Sequence, residues 1–278
     1  MRNFRYLPMK KRLQTLFDFY IKSSIHVALA AVSLAFISFQ VTSERPAYSL
    51  LIFIFCSAFF AYNFVKIYPV IKTKNSTNFP HLIFWLSFES GLASLYLFFR
   101  LTTAAQLIVF VGGILVLLYS VPFSQNKENL RNSKGWKMYL VVLTWILLTV
   151  GVPLAMTSDF DVNLFLQLML IQGVYIFVAI IPFEIRDLAV DPSSLNTLPQ
   201  RLGVLRAKIL GLVLLSIALI LTFYFFGGTT PFTLSTVLSF GLLAFFLARS
   251  TPNQSLYFSS FWVEAIPIVW AASYYFID

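Results

Sequence analysis

The sequence predicts an all-α membrane protein, a single bundle of about nine transmembrane helices over residues 1–278, and three observations lead there. Hydrophobic residues make up 59% of the chain and charged residues only 11%, with a mean hydropathy of +0.81, so too few polar groups exist to cover a water-facing surface. Apolar windows long enough to cross about 30 Å of hydrocarbon recur along nearly the whole length. The basic residues gather in alternate loops, which gives the net charge of +9 a topological meaning.

The windows place spans at 23–41, 47–67, 80–99, 103–123, 138–157, 162–184, 204–226, 231–248 and 258–277. The third is the least apolar, since it contains Ser87, Glu89 and Ser90. The segment 1–22 ahead of the first span is basic, and Leu13, Leu16 and Phe17, with Phe4, Tyr6 and Leu7, can turn toward lipid if it lies along the membrane. No small-residue cleavage site follows the first apolar run, so it is expected to stay as a span. Of the 20 Lys and Arg, 18 lie in the N-terminal segment and in or beside the loops after spans two, four, six and eight, leaving Arg45 and Arg100 for the other side. The positive-inside rule then puts the N-terminus and those loops in the cytoplasm and Asp278 outside.

Cys56 is the single cysteine and reads as a small apolar residue within span two. No G-x-G-x-x-G, Walker loop, H-E-x-x-H or paired-cysteine motif is present, so nucleotide, zinc and redox functions have no support, and no nucleic-acid partner is expected. His26, Glu89 and Glu264 fall inside spans, where an exposed charge is costly, so each is expected to face the bundle interior, with Glu89 either neutral or paired with His26 or Arg100.

The most informative stretch runs from Ile181 to Gly203. Glu184, Asp187 and Asp191 are spaced i, i+3 and i+7 in a chain with only 11 acids. If the sixth span continues as a helix, that spacing sets all three on one face over about 10 Å. Three carboxylates at the depth where hydrocarbon gives way to water suit a hard divalent ion that also binds a substrate phosphate. Pro182 permits a kink just before the acids, and Pro192 ends the helix just after them.

This stretch resembles the second aspartate motif of the UbiA-type intramembrane prenyltransferases, D-x-x-D-x-x-x-D followed by T-L-P and Leu-Gly. Glu184, Asp187 and Asp191 stand at the acidic places, then Thr197, Leu198, Pro199, Leu202 and Gly203; Leu195 and Asn196 stand where a basic residue is usual. The family's first motif, N-D-x-x-D-x-x-x-D after span two, keeps Asn63 here, while its acid places read Phe64, Ile67 and Ile71. The resemblance implies a UbiA-like bundle with motif loops near 63–79 and 184–203. It further implies transfer of a prenyl group from an isoprenoid diphosphate to a hydrophobic acceptor, with Mg²⁺ held by Glu184, Asp187 and Asp191. Asn63, Arg186 and Lys72 are then candidate substrate contacts, and Lys66 and Arg201 candidate helpers of diphosphate departure, since a cation can absorb phosphate charge without a metal. Loss of the first motif's acids keeps open a non-catalytic relative that binds a prenyl lipid or a protein partner.

Overall fold

A computed structural model describes residues 9–42, 44, 47–73, 81–121, 130 and 135–278, with side chains described for all of these except 9–10 and 68–73. Every regular element among the described residues is helical: α1 (Met9–Lys22), α2 (Ile25–Gln40), α3 (Tyr48–Thr73), α4 (His81–Phe98), α5 (Thr103–Ser120), α6 (Trp136–Ile146), α7 (Val152–Ala155), α8 (Val162–Arg186), α9 (Leu198–Leu202), α10 (Val204–Phe226), α11 (Pro231–Arg249) and α12 (Glu264–Ile277). A π-helical turn, Leu147–Gly151, joins α6 to α7, and another, Phe258–Val263, leads into α12. Helix starts follow local chemistry. Thr102, Asp161 and Thr230 accept backbone N–H groups at the N-termini of α5, α8 and α11, satisfying donors that the first turn leaves free.

Among the described residues eight helices, counting α6 to α7 and the α12 segment each as one, are long and apolar enough to cross a membrane, and the protein is an integral membrane protein. The first expected span departs from this pattern. Residues 25–40 form a 16-residue helix, about 24 Å long and short of the hydrocarbon thickness. With α1 it forms a pair bent by 55°, which gives a ninth crossing if the pair counts as one span. On α1, Leu13 and Leu16 are exposed, whereas Phe17 turns inward onto Tyr257 and Phe261; Phe4, Tyr6 and Leu7 lie outside the described residues.

The bundle closes on itself because α12 packs against α2 as well as α11, while α8 packs against α6, α10 and α11. The α8–α10 approach depends on Gly211, where a Cβ would stand 2.7 Å from Leu247 and 3.1 Å from Ile181. The larger core surrounds Tyr175, Phe240 and Trp270, and a second joins α2, α3 and α5. In contrast, α4 packs chiefly on α3, and its outer face is exposed. Glu89 lies on that face, not in the interior as expected; Arg100 bonds Tyr96, and His26 stands between the Tyr20 hydroxyl and the Phe261 carbonyl. Packing mainly against α3, α4 leaves its far side, Glu89 included, exposed.

Candidate functional site

The α8 helix stops at Arg186, before the acids have run their course. Asp187–Ala189 form a 3₁₀ turn, Ser193–Leu195 another, and Asn196 takes a left-handed conformation at φ 48°. Asparagine tolerates that region better than most residues, which gives this position a local role where the family has a basic residue. Gln200 then accepts the Thr197 N–H at the head of α9, Pro199 occupies its first turn, and Gly203 at φ +80° turns the chain into α10. Thr197, Leu198, Pro199 and Gly203 of the motif thus build a tight connection between two spans.

Because the helix ends early, the three acids do not share one helical face. Asp187 is held by the neighbouring Arg186, whose guanidinium reaches its two oxygens at 2.7 and 3.0 Å and also donates to Ser259 and Ser260. Asp191 pairs with Lys137 at 3.1 Å. Glu184, only 2% exposed, accepts the Leu198 N–H at 3.2 Å through one oxygen. Its other oxygen and the buried Thr197 hydroxyl have no hydrogen-bond partner among the described residues, and both residues line a cavity of about 30 Å³ with Lys137 and Arg201. Among the described residues no three His, Cys, Asp or Glu side chains come close enough to hold a metal ion. The arrangement therefore does not fit Mg²⁺: two of the three carboxylates already face a cation, and the third faces a backbone donor.

The residues of the first motif are gathered elsewhere. Asn63 is fully buried, its amide donating to the Ser23 carbonyl at 2.9 Å and its oxygen accepting the Ser24 hydroxyl at 3.0 Å. Lys66 donates to the same Ser24 hydroxyl at 2.7 Å and to the Lys22 carbonyl at 3.3 Å. Ser24 is the corner between α1 and α2 and sits at φ 68°, a conformation rare outside glycine, so both α3 side chains clamp a strained turn. The Lys72 side chain lies outside the described residues.

Lys66 and Arg186 meet electrostatically at Glu264, the first residue of α12, which both attract. Glu264 is half-buried and lines an apolar cavity of about 190 Å³ together with Val27, Tyr62, Trp145, Tyr175 and Phe183. The indole N–H of Trp145 donates to the Tyr62 hydroxyl across this space at 2.9 Å. Glu264 is the one charged side chain among the residues that line this cavity, and the charges of Lys66 and Arg186 act on it from outside the lining. Lys66 and Arg186 thus influence Glu264 through space, while Arg201, Lys137 and Glu184 line a second, smaller recess. Lys137, Ser24, Ser259 and Ser260 carried no signal in the sequence, because their partners lie many residues away and no spacing links them.

No protein-family model and no curated protein matches the sequence. Solved structures do match. The fold is shared with a UbiA homologue from Aeropyrum pernix K1, at a TM-score of 0.67 and 14% identity over 90% of this chain and 97% of that one. A UbiA homologue from Archaeoglobus fulgidus gives a TM-score of 0.60 and 12% identity, covering 94% and 98%. A digeranylgeranylglyceryl phosphate synthase gives 0.57 and 15%, covering 96% and 98%. The chain has the UbiA fold throughout nearly its whole length.

Proposed function

We propose that this protein is a UbiA-type membrane prenyltransferase that moves a prenyl group from an isoprenoid diphosphate to a hydrophobic acceptor. The observation that carries the reading is Glu264 on the wall of an apolar cavity, with the charges of Lys66 and Arg186 acting on it, within a fold that solved UbiA homologues share. Breaking the carbon–oxygen bond leaves negative charge on the departing diphosphate, and fixed cations lower that barrier by meeting the charge as it forms. Lys66 and Arg186 are assigned that task, with Arg201 at the neighbouring recess. The apolar walls hold the prenyl chain and keep water from the allylic cation. The basic-loop asymmetry puts this end of the bundle and the N-terminus in the cytoplasm and Asp278 outside.

Glu184, Asp187 and Asp191, the Mg²⁺ ligands of the sequence reading, serve in this reading to hold α9, Arg186 and Lys137 in place. A second reading, a non-catalytic UbiA-fold protein that binds a prenyl lipid or a protein partner, is favoured by one observation: Asn63 and Lys66 both bond the α1–α2 corner. Binding of geranylgeranyl diphosphate to the purified full-length chain, with and without Mg²⁺, separates these. Saturable binding that Lys66→Ala weakens at least tenfold, with or without Mg²⁺, supports the cation-based transferase. Mg²⁺-dependent binding lost in the Asp187→Asn, Asp191→Asn double variant restores the metal site. No binding in any condition overturns the transferase and leaves the second reading.

A further inference from the structure

Glu89 stands at the middle of α4, which puts it about 12–14 Å from either end of the span. Only Ile83 and Ser87 of this helix are buried, and Glu89 is exposed on the side away from α3. Among the described residues it is the only charged side chain exposed at mid-span, since the other exposed charges of the spans lie near helix ends. The serines nearby are already engaged: Ser87 donates to the Ile83 carbonyl and Ser94 to the Gly91 carbonyl, each within α4. Glu89 itself has no hydrogen bond or ion pair among the described residues. A carboxyl group at this depth is costly against hydrocarbon, and such groups ordinarily face a bundle interior or pair with one another. One copy of the bundle supplies neither.

The exposed residues around Glu89 follow a definite spacing. Leu82, Trp85, Glu89, Leu92 and Tyr96 recur at intervals of three, four, three and four, and all five are exposed. This is the a/d seam of a left-handed helix pair, the commonest packing of membrane helices, with Glu89 at its centre and two large apolar side chains on either side. We infer that α4 packs against α4 of a second copy of this chain, across a two-fold axis along the membrane normal, with the two Glu89 carboxyl groups hydrogen-bonded to each other. Symmetry identifies the occupant. Two copies hold one orientation in the membrane, so their α4 helices run parallel and each seam residue meets its own counterpart at the same depth. A carboxyl group that holds its proton is donor and acceptor at once, so Glu89 complements itself, and one proton between the two copies suffices. A single polar place in an apolar seam also fixes register and helix number. No residue of α4 lines either cavity, so the pairing is independent of what the protein binds or transfers.

The test measures self-association of the purified full-length chain by sedimentation equilibrium in mild detergent and by oxidative cross-linking in liposomes. The wild type is expected to be a dimer. Glu89→Leu should weaken dimerisation about tenfold, and because leucine suits a lipid-facing position this variant keeps its fold. Glu89→Gln, whose carboxamide is likewise donor and acceptor, should stay within about threefold of wild type. In liposomes Leu92→Cys should form a disulfide with its own copy, whereas Leu107→Cys, exposed on α5, should not; the native Cys56 is buried and supplies no competing thiol. A wild type that is monomeric in both settings, a dimer equally stable in Glu89→Leu, or cross-linking at Leu107→Cys in place of Leu92→Cys overturns the inference. So does association that requires a different membrane protein.

Discussion

Replacing Asn63 distinguishes a residue that touches substrate from one that holds the fold, and the structure assigns it the second task. Its side chain is 0% exposed and bonds two equally hidden groups, the Ser23 carbonyl and the Ser24 hydroxyl, at 0% and 1% exposure for their residues. In Asn63→Ala neither group gains a replacement partner, and each buried group left unmet costs about 1–3 kcal/mol. Ser24 keeps the Lys66 ammonium, so the two losses together amount to about 2–4 kcal/mol. For a chain of this size that is roughly 5–10 °C in melting temperature. Cys56 supplies the assay: it is the single cysteine, it is buried, and it lies on α3 with Asn63, so a thiol-reactive dye reports unfolding of this helix. Asn63→Leu, which restores bulk without polarity, should fall by a similar amount. A melting temperature within 1 °C of wild type for Asn63→Ala, together with weakened diphosphate binding, would refute the structural assignment.

The same dye assay checks three further expectations. Gly211→Ala puts a methyl group against Leu247, Ile181 and Val178 and should destabilise the protein by about 1–3 kcal/mol, while Gly241→Ala, with open space at its Cβ, should melt like wild type. A double-mutant cycle on Lys137→Ala and Asp191→Asn should give a coupling of about 0.5–1 kcal/mol, since the pair is partly exposed; additive effects would show that it does not hold the loop. Glu44 accepts the hydroxyl and backbone N–H of Ser158, and these bonds hold its carboxyl below the usual value of 4.5. A lowered folded-state value means stability present above that value and lost as pH falls through the lower folded one, so the melting temperature should drop further between pH 4.5 and more acid conditions in wild type than in Glu44→Gln.

The spans were legible because hydrophobic length is a property of one segment at a time. Residues 204–226 and 258–277 coincide with the observed segments, and the others differ by a few residues. The first span was misjudged at its start for a reason outside that signal: the bend at Ser24 is stabilised by Asn63 and Lys66, some forty residues away. The site was legible in the same partial way. Glu264 announced itself as a charge inside an apolar run, and its place on the cavity wall agrees. The acids at 184, 187 and 191 were projected onto an ideal helix, yet what decides their use is the partner each finds. Arg186 is adjacent, Lys137 arrives from α6, and the Leu198 N–H arrives from α9. A motif records which groups are present at a helix end, and only tertiary packing decides whether they face a metal, a cation or each other. In this chain Asp187 and Asp191 meet internal cations, while Glu184 keeps one buried oxygen without a partner among the described residues, so the motif's remaining unmet polar group faces the small recess beside Thr197.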